Sequence, residues 1–118
     1  MHPPAFALKM LVRADGSCPV ERWFASLRDR EASVVPRVRL GRLRRGLFGD
    51  CKSVGRGVSE LRVDDGPGYR IHFARAGKSV IVLIAGGDKR TQQADIQLAH
   101  ALWEEHHHAV EGLRRDFR

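Results

Sequence analysis

The segment from residue 58 to residue 75 has the pattern of a β-hairpin, and this pattern constrains the fold more than any other part of the chain. Two runs in which apolar and polar residues alternate, 58–63 and 69–75, flank Asp64-Asp65-Gly66-Pro67-Gly68, a sequence made of turn-forming residues. Because successive side chains of a strand point to opposite faces, the hairpin has an apolar and a polar face. The apolar face carries Leu61, Val63, Tyr69, Ile71 and Phe73. The polar face carries Glu60, Arg62, Arg70 and His72.

The register of this hairpin brings like charges together on the polar face. A five-residue turn places Arg62 opposite Arg70 and Glu60 opposite His72. Two arginines paired across strands repel each other unless an anion lies over them. The pattern therefore predicts a phosphate-binding site on one face of a sheet.

Basic residues are concentrated in the middle of the chain. The 118 residues carry a formal net charge of +7, and residues 37–56 contain seven basic residues against one acid, a local charge of +6. The seven are Arg37, Arg39, Arg42, Arg44, Arg45, Lys52 and Arg56. A solvated helix face with a basic loop is the simpler interpretation, but an excess of this size favours a polyanionic partner such as nucleic acid.

The length and composition fit a single domain over residues 1–118. The apolar run over residues 5–12 is interrupted by Lys9 and is too short for a signal peptide or a membrane span. Cys18 and Cys51 do not make a disulfide framework. We interpret them as free thiols of a cytoplasmic protein, and a bridge between them stays open as the alternative.

The first half of the chain is predicted to form a strand over residues 5–12 and helices over about 18–30 and 34–46. The first helix is supported by apolar residues at helical spacing, which are Val20, Trp23, Phe24 and Leu27. Ser33 is expected to cap the second helix, with Pro36 in its first turn. Because almost no spacer separates the two helices, we expect them to form an αα-hairpin.

The second half is predicted to add strands and a last helix. After the hairpin, the run 79–85 is apolar throughout, which indicates a central strand covered on both faces. A helix follows over about 91–108, with Ile96, Ala99, Leu102 and Trp103 as its apolar stripe. The charged tail, 111–118, is expected to be flexible and frayed. The order β-α-α-β-β-β-α predicts an α+β fold in which helices pack on a small, mostly antiparallel sheet.

Three basic groups converge in this topology. They are Arg62 and Arg70 on the exposed sheet face, Lys52 in the loop before the hairpin, and Lys89 with Arg90 before the last helix. Gly86 and Gly87 are expected to leave backbone amides open beside a helix N-terminus, which attracts phosphate. An ordinary turn between strand and helix is the alternative interpretation of that segment.

Positive groups around a phosphodiester can support cleavage of RNA without a metal or cofactor. They stabilise the charge of the pentacoordinate phosphate, and RNA supplies its own nucleophile, the 2′-OH. His72 lies on the same predicted face, and its residue type titrates in the range that suits a general acid or base. A surface histidine paired with Glu60 is the alternative interpretation.

Other residues have simpler interpretations. His106, His107 and His108 are neighbours on a helix and do not face each other, so we expect no metal site there. His100 is expected to face solvent, and Asp88 is expected to cap the last helix. Core positions rather than base-stacking or catalytic roles are expected for Trp23, Trp103 and Tyr69.

Several blocks between about residues 10 and 105 together resemble a known family. They are Val12-Arg13-Ala14-Asp15-Gly16-Ser17 with Trp23-Phe24, Gly49-Asp50 with Lys52, Gly57-Val58-Ser59-Glu60-Leu61-Arg62, Gly66-Pro67-Gly68-Tyr69-Arg70, Gly86-Gly87-Asp88-Lys89, and Thr91-Gln92 with Asp95-Ile96. In these blocks the chain resembles toxins of the RelE/ParE superfamily, in the branch of addiction-module killer or HigB-like proteins. The Gly-Pro-Gly-Tyr-Arg and Gly-Gly-Asp-Lys-x-Thr-Gln blocks are specific only in combination.

The resemblance implies the toxin of a type II toxin–antitoxin pair, which cleaves mRNA in the ribosomal A site and is neutralised by a cognate antitoxin protein. By position, Arg62, Arg70 and Lys89 match the basic residues of the family's RNA-cleaving face, and Lys52 matches a frequent lysine. The chain departs from the family pattern at His72, where an aromatic is usual. It departs again where the family has a late Tyr or His as acid–base residue, since that region holds Gln92, Gln93 and Asp95.

The residues and the resemblance together give two sets of candidates. The catalytic candidates are Arg62, Arg70, His72 and Lys89. The RNA-binding candidates are Lys52, Arg56, Arg90, Arg42 and Arg45. The expected function is a ribosome-dependent, metal-independent mRNA endonuclease without a cofactor or a membrane partner.

Two alternatives stay open. One is a ParE-like poison of DNA gyrase, although such a protein has no need for clustered arginines on a sheet face. The other is a non-catalytic nucleic-acid-binding protein on the same fold, which the missing acid–base residue favours.

Overall fold

The computed structural model describes residues 5–27, 30–107 and 114–117. Within these ranges the chain has an α+β fold with a six-stranded sheet and three α-helices. The strands are β1 Ala7–Leu11, β2 Cys51–Gly55, β3 Val58–Val63, β4 Tyr69–Ala76, β5 Val80–Gly87 and β6 Arg114–Asp116. The helices are α1 Pro19–Ser26, α2 Arg30–Arg44 and α3 Gln92–His107, and a 3-10 turn over Lys89–Thr91 precedes α3. No helix among the described residues is long and apolar enough to cross a membrane.

The central position predicted for the apolar strand is confirmed. The strand order is β2-β3-β4-β5-β1-β6, with β1 and β5 parallel and the other pairs antiparallel. Ile81 and Leu83 of β5 belong to one apolar core, whereas Val82 and Ile84 belong to a second core on the opposite face. A strand buried on both faces has no polar side to present, which explains its continuous apolar sequence.

The β3–β4 hairpin has the register that its turn predicts. Arg62 pairs with Arg70, and Glu60 pairs with His72. The apolar face is buried as expected, since Leu61 and Ile71 are fully enclosed in the first core. A bulge after His72 shifts the pairing of β4 with β5.

The helices cover the sheet on both faces. The first core is formed with residues of α1 and α2, including Val20, Leu40 and Leu43. The second core is formed with residues of α3, including Ala99 and Leu102. Trp23 packs against the first core and Trp103 against the second, and Tyr69 is buried with its ring centroid 5.7 Å from that of Trp23. The core position predicted for Tyr69 is confirmed, whereas Trp23 and Trp103 are partly buried at the borders of the two cores.

The start of α2 differs from the prediction. The helix begins at Arg30, so Ser33 lies inside it and does not cap it, and Pro36 lies beyond the first turn. The Arg-Glu-Ala segment before Ser33 has high helix propensity, so the helix extends over these residues. Its end is as predicted, because Gly46 adopts a φ of 83° and donates its amide to the Leu43 carbonyl.

The structure contains two strands that the sequence did not indicate. β2 is a polar edge strand that contains Lys52, so this lysine does not lie in a loop. β6 pairs with β1, and Arg44 Nη2 donates to the Phe117 carbonyl at 2.7 Å. The flexible tail expected over 111–118 therefore contains an ordered strand, while residues 111–113 and 118 lie outside the described residues.

Candidate functional site

Pairing across β2, β3 and β4 gathers predicted site residues on one face of the sheet. Lys52, Glu60 and His72 occupy consecutive paired positions on the three strands. Arg62 and Arg70 form the next pair that points to the same side. The N-terminal end of α3 lies over this face, because Gln92 contacts Glu60.

Glu60 is the centre of this arrangement, and its side chain is fully buried. Arg62 Nε donates to Oε1 at 3.0 Å, and His72 Nε2 lies 3.0 Å from Oε2. Gln92 Nε2 donates to both carboxylate oxygens, at 2.9 and 3.0 Å. Arg70 Nε lies 3.8 Å from Oε1. We call Glu60, Arg62, Arg70, His72 and Gln92 the Glu60 cluster.

The surroundings of Glu60 favour its charged form. Burial raises the pKa of this carboxyl group, but hydrogen bonds from His72, Gln92 and Arg62 outweigh burial and hold the pKa below its ordinary value. The same contact raises the pKa of Arg62 above its ordinary value. The cluster therefore contains an ionised carboxylate between two guanidinium groups at neutral pH.

The two arginines are not equally accessible, and the prediction that both lie on an exposed face is wrong. The Arg70 side chain is 7% exposed and that of Arg62 is 31% exposed. Arg70 Nη1 also donates to the Tyr69 carbonyl at 3.0 Å. Glu60 takes the position of the anion that the cross-strand arginine pair was expected to require. Of the two arginines, Arg62 is the one that an external ligand can contact.

His72 lies in the interior and not at the surface. It is paired with Glu60, as the alternative interpretation expected, but its side chain has no exposed area. Its Nδ1 atom is buried and has no hydrogen-bond partner among the described residues. In this conformation the imidazole orients Glu60 and does not reach a ligand on the surface.

Lys89 and Arg90 are exposed in the turn before α3. The aliphatic chain of Lys89 packs over Gly68 of the hairpin turn, where a Cβ atom would come within 3 Å of three of its carbons. This contact places Lys89 at the end of the hairpin that carries Arg62 and Arg70. Lys52 is exposed on β2, next to Glu60 in the pairing register.

The predicted phosphate site on open glycine amides is wrong. Gly86 and Gly87 belong to β5 and pair with Ile71 and Arg70 of β4. Asp88 caps the following turn, as predicted, and accepts a hydrogen bond from the Arg90 amide at 2.8 Å. The position at which an anion would meet the first amides of the turn is thus occupied by the protein's own carboxylate.

The two glycines serve close packing. A Cβ atom on Gly86 would overlap the indole of Trp23, and one on Gly87 would overlap the carboxylate of Asp95. Helix α1 approaches β5 at Gly86, and helix α3 approaches it at Gly87. The Gly-Gly pair therefore allows a helix to contact each face of the strand end.

The remaining RNA-binding candidates lie away from the Glu60 cluster. Arg42 and Arg45 are exposed at the end of α2, the helix that covers the opposite face of the sheet. Arg56 lies in the β2–β3 turn with a φ of 55°, 4.0 Å from Glu104. Part of the predicted basic patch is also engaged within the chain, since Arg39 donates to the Phe48 and Arg62 carbonyls.

Histidine and cysteine side chains outside the cluster have structural contacts. His100 does not face solvent as expected, because its Nε2 lies 2.9 Å from the Val54 carbonyl oxygen. Of the three consecutive histidines, His106 is buried and stacks on Trp103, while nothing is described of the other two side chains. Among the described residues no group of His, Cys, Asp or Glu is arranged to hold a metal. Cys18 and Cys51 are free thiols.

Sequence reasoning missed Gln92 as a member of the cluster. A usable signal was present, because Gln92 lies four residues before Ile96 and hence on the apolar stripe predicted for α3. A polar side chain on a buried helix stripe needs a buried partner, which here is Glu60.

Comparison with known proteins finds a homologous bacterial protein. A protein of Haemophilus influenzae, described only as an uncharacterized protein, is 36% identical to this chain over 96 residues. The matched segment covers 81% of this chain and 97% of that protein. No protein-family model matches the chain, and no solved structure matches it.

Proposed function

We propose that this chain, which belongs to the same protein family as the Haemophilus influenzae protein, is the toxin of a type II toxin–antitoxin pair. In this proposal the fold is RelE-like, and the protein is a metal-independent endoribonuclease that acts on mRNA in the ribosome. Its cognate partner is an antitoxin protein, and a small antitoxin gene is expected beside its own gene.

The observation that carries the proposal is the position of Arg62. Its Nε is held by Glu60 at 3.0 Å, while its two terminal nitrogens have no hydrogen-bond partner in the described part of the chain. Exposed Lys52 and Lys89 flank it on β2 and at the hairpin end. The Nε atom of this arginine is held in place, and its two terminal nitrogens can donate to a ligand. Together with the two nearby lysines, it is suited to bind the phosphate of a phosphodiester.

The proposed chemistry uses charge and position. Arg62 and Lys89 stabilise the negative charge that develops when the 2′-oxygen of RNA attacks the adjacent phosphorus. The bond from phosphorus to the 5′-oxygen breaks, which leaves a 2′,3′-cyclic phosphate and a 5′-hydroxyl. The proton leaves the 2′-OH for solvent, and a proton from solvent reaches the 5′-oxygen. Arg70, His72 and Gln92 act as positioning residues because they hold Glu60, which holds Arg62.

A second candidate function has a specific observation in its favour. Glu60 and His72 are both fully buried, so neither is available to a substrate for proton transfer in this conformation. This supports a non-catalytic relative that binds nucleic acid through Arg62, Lys52 and Lys89. Such a protein would bind RNA with steep salt dependence but would leave the RNA intact.

Induction of the protein in bacteria without a partner tests the proposal. We expect arrest of growth and of protein synthesis with the natural sequence, and no arrest with Arg62→Ala. Lys78→Ala is the matched control, because it removes the same charge from the exposed β4–β5 turn, at the end of β4 away from Arg70. Continued translation with collapse of DNA supercoiling would replace the proposal with the gyrase-poison alternative.

A further inference from the structure

A groove of about 360 Å³ opens between α1 and α3, and none of the residues that line it belongs to the Glu60 cluster. Its floor is Ala85 and Gly86 of β5, and Trp23 and Leu98 form its opposite walls. Arg13 and Arg22 lie at its rim. This volume is in the range of sites that bind small molecules or single nucleotides.

The floor of the groove is an open strand edge. The pairing of β1 with β5 ends at Met10 and Leu83, whereas β4 follows β5 to Gly87. In the residues that the structure describes, no strand pairs with the β1-side edge of 85–87. A ligand in the groove would therefore lie beside a segment that has no described strand on that side.

Trp23 provides a fixed aromatic wall. Its indole lies over Gly86, and edge-to-face contacts with Phe24 and Tyr69 hold it, with ring centroids 4.9 and 5.7 Å apart. The side chain is only partly buried, so part of the ring faces the groove.

The rim of the groove is positively charged. Arg13 and Arg22 are exposed, and neither forms an ion pair with the described residues. Asp15 is the nearby acid, but its carboxylate accepts hydrogen bonds from the Ser17 hydroxyl at 2.6 Å and the Ser17 amide at 2.9 Å. Asp15 also interacts with the charges of both arginines, but two arginines against this one carboxylate leave the rim with a net positive charge that suits an anionic ligand.

We propose that this groove binds one nucleotide of single-stranded RNA. The base lies against the Trp23 indole, the flanking phosphates contact Arg13 and Arg22, and the edge of the base meets the backbone of β5. Aromatic stacking beside a cationic rim is the usual way in which proteins hold single-stranded nucleic acid. The inference rests on the proposed function in taking RNA as the ligand, and it adds a base-contacting site separate from the Glu60 cluster.

The groove adjoins the cluster through the end of β5. Gly86 forms its floor, and Gly87, the next residue, pairs with Arg70. An RNA strand held at Arg62 can therefore continue past the end of β5 towards Trp23.

The dimensions of the open edge argue against a peptide as the occupant. The edge spans residues 85–87, which is about 10 Å at roughly 3.3 Å per residue. Strands that pair stably are usually about five or six residues long. An edge of this length is sufficient for contact with a single nucleotide.

Binding of a fluorescein-labelled RNA pentanucleotide to the full chain tests the site. Arg13→Gln and Arg22→Gln are expected to weaken binding by roughly ten-fold each, because each removes a phosphate contact. Lys78→Gln, which removes the same charge from the exposed β4–β5 turn, is expected to change binding by less than about two-fold. Trp23→Leu, which keeps an apolar side chain over Gly86, is expected to weaken binding by roughly ten-fold through lost stacking.

Photo-crosslinking gives a readout that does not depend on variants. With 4-thiouridine in the pentanucleotide, we expect the crosslink on the tryptic peptide 23–28, which contains Trp23. Trp103 is the internal control, because it packs on the other core and is expected to remain unmodified.

The outcomes separate this inference from the proposed function. Unchanged affinity in both arginine variants, with no crosslink on peptide 23–28, would overturn the nucleotide site even if the natural protein arrests translation. Weakened RNA binding with a crosslink on that peptide would support the site even if translation continues. Variants that bind the pentanucleotide normally but lose a protein partner would show that the groove is a peptide site, and would also overturn the inference.

Discussion

The Glu60 carboxylate lies 3.0 Å from Nε2 of His72, and neither side chain is exposed. Gln92 of α3 lies over this pair and donates to both carboxylate oxygens. The polar face of the hairpin therefore forms an internal hydrogen-bond network, in which the Glu60 carboxylate is the anion that pairs with the arginines. Its first effect is on stability, and Arg62 is the partly exposed arginine of the network.

A carboxylate at position 92 is expected to destabilise the fold. Gln92→Glu replaces a donor to the buried Glu60 with a second acid at a partly buried position, and the two carboxylates repel each other, at a cost of about 2–4 kcal/mol at pH 7. The introduced acid would have a raised pKa, so the folded state binds its proton more tightly and the loss diminishes as pH falls. Urea unfolding at pH 7 and pH 5 measures both effects.

Gln93→Glu adds the same charge at an exposed position and is expected to change stability by less than about 0.5 kcal/mol. Equal losses in the two variants would contradict the Glu60–Gln92 contact.

The lowered pKa of Glu60 makes stability depend on pH in the acid range. Because the folded state binds this proton less tightly, the contribution of Glu60 is complete above the unfolded pKa of about 4.3 and is lost as pH falls through the lower folded-state pKa. Glu60→Gln is expected to lower the free energy of unfolding by about 2–4 kcal/mol at pH 7. The difference in stability between this variant and the natural chain should become smaller as the pH falls. Thermal melts between pH 7 and pH 3 follow this difference, with Glu105→Gln, the same change at an exposed position, as the control. A difference that stays constant with pH would show that Glu60 is not ionised in the folded protein.

Two glycines give a matched test of packing at the end of β5. Gly86→Ala is expected to destabilise the fold by about 1–3 kcal/mol, because the new methyl group overlaps the Trp23 indole. Gly41→Ala is expected to stabilise it by about 0.5–1 kcal/mol, since Gly41 lies within α2 with no heavy atom near its Cβ position. Denaturant unfolding followed by tryptophan fluorescence measures both. Equal and small effects would mean that Trp23 does not lie on Gly86.

The parts of the fold that depend on local pattern could be predicted from the sequence. Alternation and turn chemistry gave the β3–β4 register, including the Arg62–Arg70 and Glu60–His72 pairs. A continuous apolar run gave the central strand, and helical spacing gave α3. These signals lie within about 20 residues, so one sequence contains all the information they need.

The burial of the site could not be predicted in the same way. Whether the polar face of the hairpin is exposed depends on α3, and Gln92 lies 32 residues from Glu60 in the sequence. Gly86 and Gly87 resembled an open loop because close packing against Trp23 and Asp95 has no local signature. β6 was missed for a similar reason, because its charged sequence has no alternation and it pairs with a strand at the other end of the chain.

The central claim is that the terminal nitrogens of Arg62 bind the phosphate at which mRNA is cleaved in the ribosome. Mapping the 5′ ends of ribosome-bound mRNA after induction of the protein tests this claim most directly. The natural protein is expected to create new 5′-hydroxyl ends within the A-site codon. Arg62→Ala is expected to create none while its melting temperature shows that it still folds. Cleavage by Arg62→Ala at the natural rate, or arrest of translation by the natural protein without any new ends, would contradict the account.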